Sequence, residues 1–182
     1  VLEYMAELSR SEQRFLDSYW NNRQYEGGRM YRCSFANARL SNIGLKKEID
    51  IQSSVWFWSK LTNIRCSGLR MVVGHCEECT FWSVILDDTV MTGFRFVKSV
   101  ILGCQFTDTT LSNLRLKKCE MSHLKLSNVM LTDVVFDRCI FKELDLEHIT
   151  FEKVKFKNCY FDKLPETIPE GCKFKHCMEI PE

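Results

Sequence analysis

Between Leu111 and Phe136 the chain reads LSNLR LKKCE MSHLK LSNVM LTDVV F, with an apolar residue at the head of every group of five. Followed in both directions, that line runs unbroken from Ile51 through Trp56, Phe81, Ile101 and Phe141 to Phe161, 23 apolar positions in succession. In a chain that is 45% apolar, chance would give such a run roughly once in 10⁸ trials. A second line lies two residues earlier, from Ile49 to Cys159; 17 of its 23 members are apolar and the other six are Ser, Thr or Gly. Residues two apart project to one face of an extended strand, and the residue between them projects to the other. A period of five fits neither a helix, which needs 3.6, nor an unbroken strand, which needs 2. The backbone must turn after every inward pair, which predicts a solenoid of short strands with both lines inside.

Upstream of Ile51 the pattern continues through Ile43/Leu45, Ala38/Leu40, Cys33/Phe35 and Met30, one residue out of phase. One inserted residue between Lys47 and Asp50 accounts for the slip. In its spacing this chain resembles the pentapeptide-repeat family over residues 28–164. The resemblance implies an all-β fold, a right-handed quadrilateral β-helix with four repeats to a coil. About seven coils are expected, a rod roughly 33 Å long at about 4.8 Å per coil. Bacterial members of the family usually carry small residues at the first inward position. Here Leu, Val, Ile, Phe and Cys often stand there, which implies a wider or distorted coil.

Solenoid ends need covers, because a terminal coil otherwise exposes its interior and a strand edge. Ser9 and Glu12 form a capping-box pattern, and Phe15, Leu16, Tyr19 and Trp20 make an apolar stripe at helical spacing. They predict a short helix at about 9–21 within an amino-terminal cap, residues 1–27. At the other end Pro165, Pro169 and Gly171 stop the repeat, and Cys172, Phe174 and Cys177 are expected to tuck over the last coil within a carboxy-terminal cap or tail, 165–182.

A formal charge of +1 and 27% charged residues give no global attraction to nucleic acid or to an acidic surface. No apolar run is long enough for a membrane helix, and Glu3, Glu7 and Arg10 stand where a signal peptide would be apolar. The chain opens on Val1, as a module of a larger protein would. Ten cysteines in a chain with a sizeable core, and no Asn-x-Ser/Thr sequon, favour reduced thiols and a cytoplasmic or nuclear protein. Stacking at 20-residue intervals would align Cys79, Ser99, Cys119, Cys139 and Cys159 down one inner wall.

No catalytic, cofactor or metal site is expected. Cys76-Glu-Glu-Cys79 has the spacing of a zinc or redox motif, but both cysteines are inward positions three apart, a separation the repeat guarantees. His75, His123, His148 and His176 fall on separate outer lines, with no nucleophile to serve.

Sorting outward residues by coil gives unlike faces. One carries Arg95, Lys98, Arg115, Lys117, Lys118, Arg138, Lys155 and Lys157. The opposite face carries Asp87, Asp88, Asp108, Asp145 and Glu147. A third presents Trp82, Val100, Leu102, Ile140 and Tyr160, with Ile85 and Val97 around its corners, and Val55, Phe57 and Trp58 nearby. Clustered exposed aromatics mark a partner or self-association surface. The expected function is therefore a non-enzymatic protein–protein interaction scaffold, binding another protein or itself through Trp82, Ile85, Val97, Val100 and Leu102, with Arg95, Arg115, Lys117 and Lys118 contributing. The competing explanation for the apolar patch is cover by the amino-terminal helix or by a missing neighbouring domain. The alternative function is nucleic-acid or anionic-surface binding along the basic face, without membrane insertion. Some bacterial members of the family imitate duplex DNA to block topoisomerases; that role needs a strongly acidic rod and is the least favoured reading of a neutral chain.

Overall fold

In the computed structural model, which describes residues 5–11, 13–36, 38–146 and 148–181, the described residues form strands, turns and loops without a helix. Each repeat is a strand of about three residues centred on the inward line, followed by a corner. Thr80–Trp82, Val100–Leu102, Glu120–Ser122, Ile140–Lys142 and Tyr160–Phe161 pair in parallel, so that Phe81, Ile101, Met121, Phe141 and Phe161 stack residue on residue. Four repeats thus return the chain to the same wall 20 residues on.

The corner explains the period. The second residue after most inward residues takes a positive φ, as at Asn63 (53°), Glu78 (53°), Asp108 (48°), Lys118 (54°) and Asn158 (52°). This left-handed conformation costs an L-residue about 1–2 kcal/mol, least for Gly, Asn and Asp. Ladders between corners offset part of that cost: Asn63 Nδ2 donates to Asn42 Oδ1 at 2.7 Å, and Asn128 Nδ2 to Asp108 Oδ1 at 2.6 Å. Val73 (φ 53°) is β-branched and exposed, which makes it the strained corner of its column.

The second inward line supplies hydroxyls and thiols that fold back on the carbonyl two residues earlier. Ser59 Oγ donates to the Phe57 carbonyl at 2.9 Å and Thr109 Oγ1 to the Thr107 carbonyl at 2.9 Å. Cys159 Sγ donates to the Lys157 carbonyl at 3.3 Å. Small donors at that position therefore satisfy backbone acceptors beside the corner while remaining buried. The two inward lines together enclose a lumen of about 170 Å³ lined by apolar side chains from Trp20 to Phe156.

Among the described residues the amino-terminal helix is absent. Met5–Ser11, Arg14–Leu16 and Tyr19–Tyr31 are strands, with Ser9 paired to Arg29, Phe15 to Phe35 and Trp20 to Leu40. Glu12, the other half of the capping box, lies outside the described residues. Phe15, Trp20, Tyr25 and Met30 are five apart and extend the inward line; of the stripe that suggests a helix, Phe15 and Trp20 fit both periods, while Leu16 and Tyr19 are exposed. Neighbouring coils decide between them, since strands gain a backbone ladder and ring stacks of 4.7 Å (Phe15 on Phe35) and 3.8 Å (Phe35 on Trp56). The solenoid consequently has about eight turns, not seven.

The inserted residue is found where expected. Glu26 pairs with Lys46 but Gly28 with Ile49, so the extra residue lies between Lys46 and Ile49. At the carboxy terminus Cys172–Lys175 and Met178–Glu179 continue two walls, pairing Phe156 with Phe174 and Tyr160 with Met178, 18 residues apart. Gly171 (φ 81°) opens that short coil, and a Cβ there would overlap the Phe151 carbonyl. The rings of Phe141, Phe156, Phe161 and Phe174 close this end of the lumen.

Candidate interaction surfaces

The strand Val100–Leu102 sits directly on Thr80–Trp82, which places Leu102 beside Trp82 and Val100 beside Thr80. Trp82 is 55% exposed, while Leu102 and Val100 are half-buried. Gly103, the corner next to Leu102, has a φ of 60° and lies within ordinary contact distance of the indole: a Cβ there would be 3.9 Å from Trp82 Cδ1. Ile85 starts the strand beyond one corner and Val97 ends the strand before the other; both are half-buried. The five apolar residues therefore lie on one wall and its two flanks. One coil further on, Lys142 Nζ meets Glu120 Oε1 at 2.9 Å and separates this group from Ile140, Tyr160 and Met178. Trp58, 59% exposed, stands at the corner leading into the same wall, its Nε1 donating to Glu78 Oε2 at 3.1 Å. Tyr19 and Leu16 are more exposed still, although helical spacing predicts that they belong to the covering stripe.

The basic face is assembled as expected, with Arg95 on Arg115 and Lys117 beside Val97. Much of its charge is already answered. Arg115 reaches both Asp133 carboxylate oxygens at 3.2 and 3.3 Å and donates to the Asp133 and Leu114 carbonyls. Lys98 pairs with Glu78 at 3.1 Å and Arg138 with Asp137 at 3.1 Å. Slight burial disfavours the Asp137 carboxylate, but hydrogen bonds from Arg138 and Asn158, with the charges of Arg138 and Lys117, outweigh it and hold its carboxyl below the usual range. On the acidic face Asp87, Asp88, Asp108 and Asp145 are exposed; Glu147 lies outside the described residues.

No disulfide forms among the described residues, and eight of the ten cysteines are buried. Burial pushes the Cys66 thiol up to about 12 and the Cys104 and Cys172 thiols up to about 11. Cys139, hydrogen-bonded to Cys119 and Cys159 in neighbouring coils and buried, is raised as well. The same contacts hold Cys119 and Cys159 in the opposite direction, so burial does not raise every thiol of the ladder. Access, more than acidity, sets reactivity here. Under native conditions an alkylating reagent should reach half-buried Cys172 and Cys177 first and the other eight only on unfolding, which mass mapping of labelled peptides will show; early labelling of Cys119 or Cys139 would contradict the packing. Among the described residues no cluster of three or more His, Cys, Asp or Glu could hold a metal ion.

Residues 114–161 match the family model of pentapeptide repeats, in eight copies. No curated protein matches the chain. Among solved structures, full-length QnrB1, a plasmid-mediated fluoroquinolone resistance protein, is 12% identical over 95% of this chain and 94% of its own, with a TM-score of 0.40. HetL, a pentapeptide-repeat protein involved in heterocyst differentiation regulation from the cyanobacterium Nostoc sp. strain PCC 7120, is 7% identical over 97% of this chain and 86% of its own, with a TM-score of 0.33. Residues 114–161 are thus pentapeptide repeats, and strand pairing carries the same five-residue register through the other coils.

Proposed function

We propose that this chain is a non-enzymatic protein–protein interaction scaffold whose docking wall is built from Trp82, Val100 and Leu102, flanked by Ile85 and Val97. The observation that carries this reading is that Trp82 remains 55% exposed beside Leu102. The amino-terminal segment, which could have covered the patch as a helix, instead winds into the first coils and stacks on the end of the rod. A rigid solenoid offers such a wall with little ordering cost on binding. The partner is another protein or a second copy of the chain. The basic face is the weaker reading, because Lys98, Arg115 and Arg138 already face carboxylates. Ten cysteines without a disulfide among the described residues support a reducing compartment, cytoplasm or nucleus.

Trp82→Ala combined with Leu102→Ser tests the wall. Truncating a central tryptophan typically costs at least about 2 kcal/mol of binding, about thirtyfold in affinity. Sedimentation and partner capture should show that loss with the melting temperature nearly unchanged. Unfolding of the double variant would make the patch structural. Normal binding, with loss instead in an Arg115, Lys117 and Lys118 charge-reversal variant, would move the site to the basic face.

A further inference from the structure

The last two strands of the basic wall, Val154–Lys157 and Cys172–Lys175, pair with Lys155 opposite Lys173 and Lys157 opposite Lys175. All four lysines are exposed, while Phe156 and Phe174 lock the strands from inside with ring centroids 4.6 Å apart. The stems therefore rise from a rectangle of about 4.8 by 7 Å. Like charges directly opposite on neighbouring strands are destabilising, and none of the four has a carboxylate partner among the described residues. Asp137, the acid stacked next to Lys157, is already held by Arg138 and Asn158. Lysines on an outermost strand discourage edge pairing, which accounts for Lys173 and Lys175. It does not account for Lys155 and Lys157, whose strand is paired on both sides.

We infer that this lysine rectangle is a binding site for a small, multiply phosphorylated anion. A phosphate monoester carries about −1.5 to −2 at neutral pH, so each phosphate balances one opposed lysine pair and two phosphates balance the rectangle. A singly charged sulfate ester balances half as much. The outward residues of both strands are lysines alone, with no aromatic ring for a nucleobase to stack on and no apolar side chain to enter a bilayer. The site is distinct from the Trp82 wall.

Titration of the whole chain with inositol hexakisphosphate at physiological ionic strength tests the site. Lys173→Glu with Lys175→Glu should weaken binding at least about tenfold, and the neutral pair Lys155→Gln with Lys157→Gln should weaken it too while preserving the melting temperature. Lys60→Glu with Lys125→Glu, an equal charge change on other walls, should leave affinity within about twofold. The inference is overturned if the wild type does not bind, if the control pair loses as much as the rectangle variants, or if affinity survives both rectangle variants. Tighter binding of a heparin oligosaccharide or single-stranded DNA than of inositol hexakisphosphate would overturn the assignment to a small phosphorylated ligand.

Discussion

Replacing Phe141 by alanine is expected to destabilise the protein by about 3–5 kcal/mol. The ring is 1% exposed and lies between coils, stacked at 4.8 Å on Phe161 and edge-on to Phe136 at 5.2 Å and Phe156 at 5.5 Å. Removing it leaves a cavity that backbone ladders on all four walls prevent from collapsing, so the loss should sit toward the upper end. At about 2–4 °C per kcal/mol for a chain of this size, the melting temperature should fall by roughly 10 °C. Lys142→Ala is the matched control, one residue away and outward. Its ion pair with Glu120 joins side chains 46% and 39% exposed, and such a pair contributes under about 1 kcal/mol. Equal losses at the two positions in a denaturant titration would contradict the inward assignment.

Gly74→Val should cost about 3 kcal/mol or more, for the opposite reason. Gly74 is stacked between Ser54 and Phe94 on the second inward line, and a Cβ on it would overlap the Phe94 ring. That ring is 1% exposed and packs on Phe96 at 5.9 Å. It reaches over its neighbour because the neighbour has no side chain. Phe94→Ala alone should be as damaging as Phe141→Ala, yet the double variant should be more stable than the two single losses predict, with a coupling of at least about 1 kcal/mol. Strict additivity would mean that the glycine serves some purpose other than making room for the ring.

The two inward lines from Ile51 to Phe161 carry the fold openly, because each coil repeats one local decision: two residues in, one corner, turn. Where a second period competes, the reading fails. Phe15 and Trp20 satisfy helical spacing and five-residue spacing together, whereas Leu16 and Tyr19 fit only the helix and stand exposed; the ring of Phe35 and the ladder to the next coil choose the strand. Lys173 and Lys175 were missed for a related reason. Counting 20 residues places Lys175 opposite Lys155, whereas the 18-residue final coil places Lys173 there. The Trp82 wall was legible because face and column follow directly from the register. How much of the basic face is free was not, since Arg115 reaches Asp133 across a corner whose geometry no spacing rule supplies.

The extra residue between Lys46 and Ile49 widens one coil and nothing else: Leu45 lies on Cys66 at an offset of 21, and Ile51 lies on Met71 at 20 again. In an ordinary two-layer sheet, the same insertion within a strand would send every later side chain to the wrong face. Here a corner absorbs it, since each coil answers only to the coils it touches. Insertions and deletions are therefore local events for this architecture. Descendants of such a chain can gain or lose residues at a corner, or whole turns, and still inherit an intact interior, so that evolutionary change in length falls on the reach and decoration of the rod.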